Sequence, residues 1–208
     1  MTVVRTVGHS THPIEEFIDL LRAHGVHRLV DVRTVARSRH NPQFEESALA
    51  ASLRAHRITY RHVRELGGLR PTRSDSVNTA WRNASFRGYA DYMQTPQFAD
   101  AVDDLVRHAT HDDLVIMCAE AVPWRCHRSL IGDALVVRGV EVLDIMSPTS
   151  ARPHTLTSFA RTDGTRVWYP ATDQGDGTGQ GDGTDQADAK GQGVAGGASP
   201  SRARSRRT

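Results

Sequence analysis

The sequence predicts an α/β protein: a mostly parallel, five-stranded sheet with helices on both faces, three layers in the Rossmann-like manner. Short runs rich in β-branched residues alternate with longer amphipathic runs through the first 171 residues. The run at 114–118, Leu-Val-Ile-Met-Cys, is apolar from end to end, as a buried strand requires. Strand, helix and strand in repetition favour parallel pairing through crossover helices.

Strands are expected at 3–7, 28–32, 58–62, 114–118 and 140–145. The first helix, 13–24, places Ile14, Phe17, Ile18 and Leu21 on one face and opens on Pro13, a residue suited to a helix start. A second, 45–56, repeats the pattern with Leu49 and Leu53, and a third, 96–108, with Phe98, Val102, Leu105 and Val106. The last, 125–138, stops before Gly139, which suits a left-handed cap. Residues 64–87 are polar, carry Gly67-Gly68 and Pro71, and are too long for an idle connection. Tyr89 and Tyr92 fall on a short helix at core spacing, and Asp163-Gly164 marks a small hairpin. This divides the chain into an α/β domain at 1–150, a hairpin extension at 151–171 and a tail at 172–208. The tail is rich in glycine and aspartate, ends in Arg-rich SRARSRRT, and is expected to be disordered because it holds too little apolar surface to offset ordering.

Composition narrows the class. The chain of 208 residues has a net charge of +2 and no apolar run long enough for a membrane span. No secretory leader is visible at its start, so a reducing cytoplasmic location is expected and Cys118 and Cys126 should not form a disulfide framework. Thirteen arginines against five acidic residues lie between positions 22 and 87, a charge excess that suits an anionic small molecule or nucleic acid. Arginine is also this chain's habitual cation, with Lys190 its single lysine, so the excess is partly compositional. No protein partner is specified.

Parallel sheets bind ligands beyond the carboxyl ends of their strands. Here the first expected strand runs into Gly8, His9, Ser10 and Thr11; the second into Asp31, Arg33, Ser38 and Arg39; the fourth into Cys118, Glu120, Cys126, His127 and Arg128. A strand order of 3-2-1-4-5 would make these tips contiguous. The motifs TVGHST, DVR…SR…PQF, LGG, RGYADYM and CAE…CHR resemble the family catalogued as domain of unknown function 488, over about residues 6 to 146. The resemblance implies a cytoplasmic α/β domain of mainly prokaryotic origin and supplies no mechanism. This chain departs from the family pattern at Ala36, where proline is usual, and at Asp144, where histidine is usual.

Each candidate carries a functional and a structural reading. Glu120 and Asp31 are the candidate acid–base pair, unless each pairs with an arginine, Asp31 with Arg33 or Arg39 and Glu120 with Arg128. His9 is a candidate proton carrier beside Gly8, or part of a polar helix cap. Cys118 stands where a strand-end nucleophile stands, or packs as a small apolar residue. A Cys-x5-Arg phosphate loop fails, because position 124 is Trp124 and Arg125 misses by one. Cys126 is expected to face the core, with His127 and Arg128 towards the crevice; Arg33, Arg39, Arg128, Ser10, His127 and Tyr60 are the candidate ligand-binding residues. Cys-x7-Cys-His is not a usual structural zinc spacing, so no metal is expected, and the sequence specifies no cofactor. The leading expectation is an enzyme using Glu, Asp and His proton transfer on a phosphate-bearing ligand held by arginines. The alternatives are a non-catalytic nucleic-acid or protein binding module, and thiol or sulfur-transfer chemistry at Cys118.

Overall fold

Leu114–Cys118 forms β4, and all five side chains are buried, which places this strand at the centre of the sheet. Its neighbours are β1 (Val3–Gly8) on one side and β2 (Arg28–Asp31) on the other, both parallel to it. Beyond β2 lies β3 (Thr59–His62), also parallel; beyond β1 lie parallel β5 (Glu141–Ser147) and antiparallel β6 (Ser150–Pro153). The order is β3-β2-β4-β1-β5-β6. The expected order is therefore corrected: β4, not β1, stands beside β2. The tips of β2, β4 and β1 are still contiguous. β6 is additional to the five expected strands.

The computed structural model describes residues 1–171. The tail expected at 172–208 lies outside the described residues. No described helix is long and apolar enough to cross a membrane.

Helices cover both faces because strand side chains alternate. On one face α1 (Ile14–Ala23) and α2 (Glu46–Ala55) set Phe17, Ile18, Leu21, Leu49 and Leu53 against Val7, Leu29, Val115 and Met117. On the other, α3 (Ala84–Tyr92), α4 (Pro96–Ala109) and α5 (Arg128–Val136) bring Tyr89, Phe98, Val102, Leu130 and Ile131 onto Val4, Val30, Leu114 and Ile116. The helix expected at 125–138 begins three residues later, because Pro123–Arg125 forms a separate 3-10 turn.

The long 64–87 segment is stapled down. Asp91 of α3 accepts from the Arg73 backbone N–H, the Ser76 hydroxyl and the Asn78 amide. Tyr169 is fully buried and donates its hydroxyl to Asp133 of α5 and its backbone N–H to Asn78. It follows the expected hairpin, β7 (Arg161–Asp163) and β8 (Arg166–Trp168).

Candidate active site

The period of two in a strand sorts the expected site residues before any of them meets a ligand. Asp31 shares its face with Leu29, on the α1–α2 side, and Cys118 shares its face with Leu114 and Ile116, on the α3–α5 side.

On the α1–α2 side the polar groups are committed to one another. The fully buried Asp31 carboxylate accepts from Arg33 Nε and Nη2, the Arg33 backbone N–H and the Tyr60 hydroxyl. Arg33 also donates Nη2 to the Phe44 carbonyl at 2.9 Å and Nη1 to His9 Nε2 at 3.3 Å. His9 stacks on Phe44 with ring centroids 4.1 Å apart, and its Nδ1 faces the Ser10 carbonyl at 2.9 Å. Nδ1 therefore carries the hydrogen and Nε2 offers a lone pair to Arg33. Burial pushes His9 down to about 4; the Arg33 charge assists, and the bond to Ser10 opposes. Burial and the Asp31 charge likewise raise the Tyr60 phenol. Both oxygens of Asp31 are thus engaged, and the pairing with Arg33 that the sequence offered is present. Asp31, His9, Arg33 and Tyr60 brace β2 against β1 and β3.

Arg128 requires a correction. It is 1 % exposed and turns inward rather than to the crevice. Nη1 donates to the Thr6 hydroxyl and Nη2 to the main-chain carbonyls of Glu120 and Ala121. The expected pairing with the Glu120 carboxylate is thus replaced by a bond to the Glu120 backbone, and the guanidinium clamps the loop after β4. Thr6 passes its own hydrogen to Asp144 at 2.6 Å, and Asp144 lies 3.6 Å from His154 Nδ1. His154 Nε2 meets Asp133 at 2.9 Å. Two cations and two carboxylates are neutralised together in the interior. Burial pulls His154 down, but Asp133 and Asp144 outweigh it and lift the group to about 9.

The same loop is held by the tips of β1 and β4, where His9 and Ser10 donate their N–H groups to the Cys118 and Ala119 carbonyls. Ser10 takes φ 47°, a left-handed backbone, and α1 has no side-chain cap. A Cβ on Gly8 would run into the Glu120 carbonyl, so only glycine admits this loop so close.

A wide hollow of about 830 Å³ lies against Tyr60 and His62, and a smaller one of about 410 Å³, with Arg33 at its edge, opens on the α3–α5 side. Cys118, Cys126 and His127 lie together in its wall, with exposed Glu120, Arg37 and Arg125 beside them. Arg39 is exposed and does not line it. His127 Nε2 faces the Val32 carbonyl at 2.9 Å and so carries a hydrogen; Nδ1 points at Cys126 Sγ, 3.6 Å away, and Cys118 Sγ, 4.0 Å away. Cys126 therefore joins Cys118 in the site instead of only filling the core. The two free thiols titrate as a pair: the closeness of Cys118 lowers Cys126, with help from His127 and Arg128 against burial, while the closeness of Cys126 and burial raise Cys118. The proton of the pair is thus drawn towards Cys118 and away from Cys126, so Cys126 stands beside Cys118 as a candidate nucleophile.

Two supports of His127 explain earlier motifs. Tyr89 packs its ring 5.0 Å from the imidazole, and a Cβ on Gly68 would come within 2.5 Å of Nδ1. Gly68 thus lets the loop press against the imidazole, while Gly67 admits Thr34. Asp133 and His154 went unread in the sequence. The available signal was an aspartate inside the apolar face of a helix, between Ile131 and Leu135; nothing local marks His154. Arg37 and Arg125 carried only their charge as a signal, and neither side chain makes a hydrogen bond or ion pair among the described residues.

Fold and site define a mostly parallel α/β domain with a cysteine–histidine cluster at the carboxyl edge of its sheet. The chain belongs to the family described as Domain of unknown function DUF488, which matches residues 13–135. That span holds Asp31, Arg33, Cys118, Glu120, Cys126, His127 and Arg128, and leaves His9, Ser10, Asp144 and His154 outside it. No curated protein and no solved structure matches the chain.

Proposed function

We propose that the protein is a thiol enzyme acting on a small anionic molecule, with phosphate-bearing compounds the favoured class. The single observation that carries this reading is the aim of His127 Nδ1 at both sulfurs in the wall of an open hollow. His127 takes the Cys126 proton, and Cys126 Sγ attacks the electrophilic atom of the ligand. As the bond to the leaving group breaks, the imidazolium returns that proton to it. Cys118 donates to the Cys126 thiolate, and Arg37 and Arg125 hold the anion, where charge-assisted bonds to phosphate are strong. The carboxylate–histidine route through Asp31 and His9 loses support, because those groups are occupied by each other and by Arg33. Glu120 remains a candidate for proton transfer on the open side.

Alkylation of the native chain by iodoacetamide at pH 7 tests this. Cys126 is expected to react about ten-fold faster than a thiol of ordinary acidity, and His127→Gln or Gly68→Ala to remove the advantage. Inorganic phosphate should slow the reaction, and Arg37→Ala with Arg125→Ala should abolish that protection. A native rate equal to that of free cysteine, unaffected by His127→Gln, would overturn the reading.

A further inference from the structure

We propose that Cys118 Sγ, Cys126 Sγ and His127 Nδ1 form a three-ligand site for zinc, with the fourth position opening into the hollow. This goes beyond the thiol reading but rests on the same cluster being the working centre. The three donor atoms lie within 4.8 Å of one another. Zinc bound tetrahedrally, with bonds of about 2.3 Å to sulfur and 2.0–2.1 Å to nitrogen, sets sulfur–nitrogen separations near 3.6 Å and sulfur–sulfur separations near 3.8 Å. The observed sulfur–nitrogen distances of 3.6 and 4.0 Å enclose a gap of that size, with Cys118 needing to close by a few tenths of an ångström.

The supporting shell also fits. A ligating histidine commonly donates its second ring N–H to a carbonyl or carboxylate, and Val32 supplies that carbonyl. The ring cannot swing freely, because Tyr89 packs against it and Gly68 lies close to it. Two thiolates and one Zn²⁺ sum to zero charge, so the occupied cluster tolerates the nearby Arg128 guanidinium. Three protein ligands with one open position is the pattern of a reactive rather than a sealed zinc site. The unusual Cys-x7-Cys-His spacing follows from the topology, since one ligand comes from the tip of β4 and two from the residues leading into α5. A zinc knuckle takes paired ligands from a single turn, which is why the spacing alone hides the site.

Zinc and free-thiol reactivity are alternative states of one cluster. A thiolate bound to the metal is withdrawn from alkylation, so zinc should act as an off-switch for the nucleophile or present its own open position to the anion.

The test uses the reduced, full chain, stripped with a chelator and titrated with Zn²⁺ and with Co²⁺ as a spectroscopic stand-in. One metal per chain is expected, with thiolate-to-cobalt charge-transfer bands and a tetrahedral visible spectrum. Zn²⁺ should suppress iodoacetamide labelling in proportion to occupancy. Cys126→Ser and His127→Ala should each weaken zinc by about 100-fold or more, above the loss from removing outer-shell partners. Should those variants misfold, the cobalt spectrum of the unaltered chain still decides: an octahedral spectrum without thiolate bands overturns the proposal. Fast, His127-dependent alkylation without stoichiometric zinc sinks the metal site and spares the thiol reading. Stoichiometric zinc on a chain whose stripped form alkylates at the ordinary rate does the reverse.

Discussion

Replacing Arg128 with methionine lowers the unfolding free energy by about 3–5 kcal/mol, the cost of breaking a buried charge network by removing one member. The guanidinium is 1 % exposed and serves the Thr6 hydroxyl and two loop carbonyls at once. Methionine fills much of the volume but leaves those acceptors without donors and Asp144 without its share of positive charge. Lysine does not restore the clamp, because one ammonium on a flexible stem cannot reproduce a planar fork aimed at two sites. Urea unfolding of the Arg128→Met and Arg128→Lys chains measures both losses. A change below about 1 kcal/mol for both would show that the loop does not depend on the clamp.

Stability should also peak near pH 6.5 and fall on both sides. His154 is lifted to about 9 in the folded chain, so its contribution is fully present below its ordinary value of 6.5 and is lost as pH rises through 9. His9 is depressed to about 4, so its contribution is present above 6.5 and is lost as pH falls towards 4. At about 1.4 kcal/mol per pH unit of displacement, each limb is worth on the order of 3 kcal/mol. Denaturant midpoints from pH 4 to pH 9 trace the curve. His154→Gln should flatten the alkaline limb and leave the acid one; His9→Gln should do the converse. Two limbs unmoved by these replacements would refute the assignment.

Much of the architecture was legible because periodicity reports burial. The all-apolar 114–118 run is the doubly flanked β4, and the Phe17–Leu21 and Phe98–Leu105 patterns face the core as their spacing requires. The strand order was not legible. Whether the crossover from β1 passes over one strand or none leaves no mark on any single residue. The chemistry of 117–130 was visible, but its division of labour was not. The 3-10 turn at Pro123 delays α5, which changes the direction of every following side chain and sends Arg128 inward. Asp31 and Arg33 looked available because charge was read without partners; the bidentate pair that absorbs them depends on contacts with Tyr60, Phe44 and His9 that no local pattern reveals.

The central position of β4 has a kinetic consequence for the cluster. With hydrogen-bonded neighbours on both sides, its amides are released to solvent only when the whole molecule opens, whereas the outer strands β3 and β6 fray alone. Cys118 therefore keeps the lifetime of the native state. Cys126 and His127 sit where a turn hands over to a helix, a boundary that opens at lower cost. Hydrogen–deuterium exchange should find the slow and the faster halves of the dithiol a few ångströms apart, with reorganisation on guest arrival confined to the helical half.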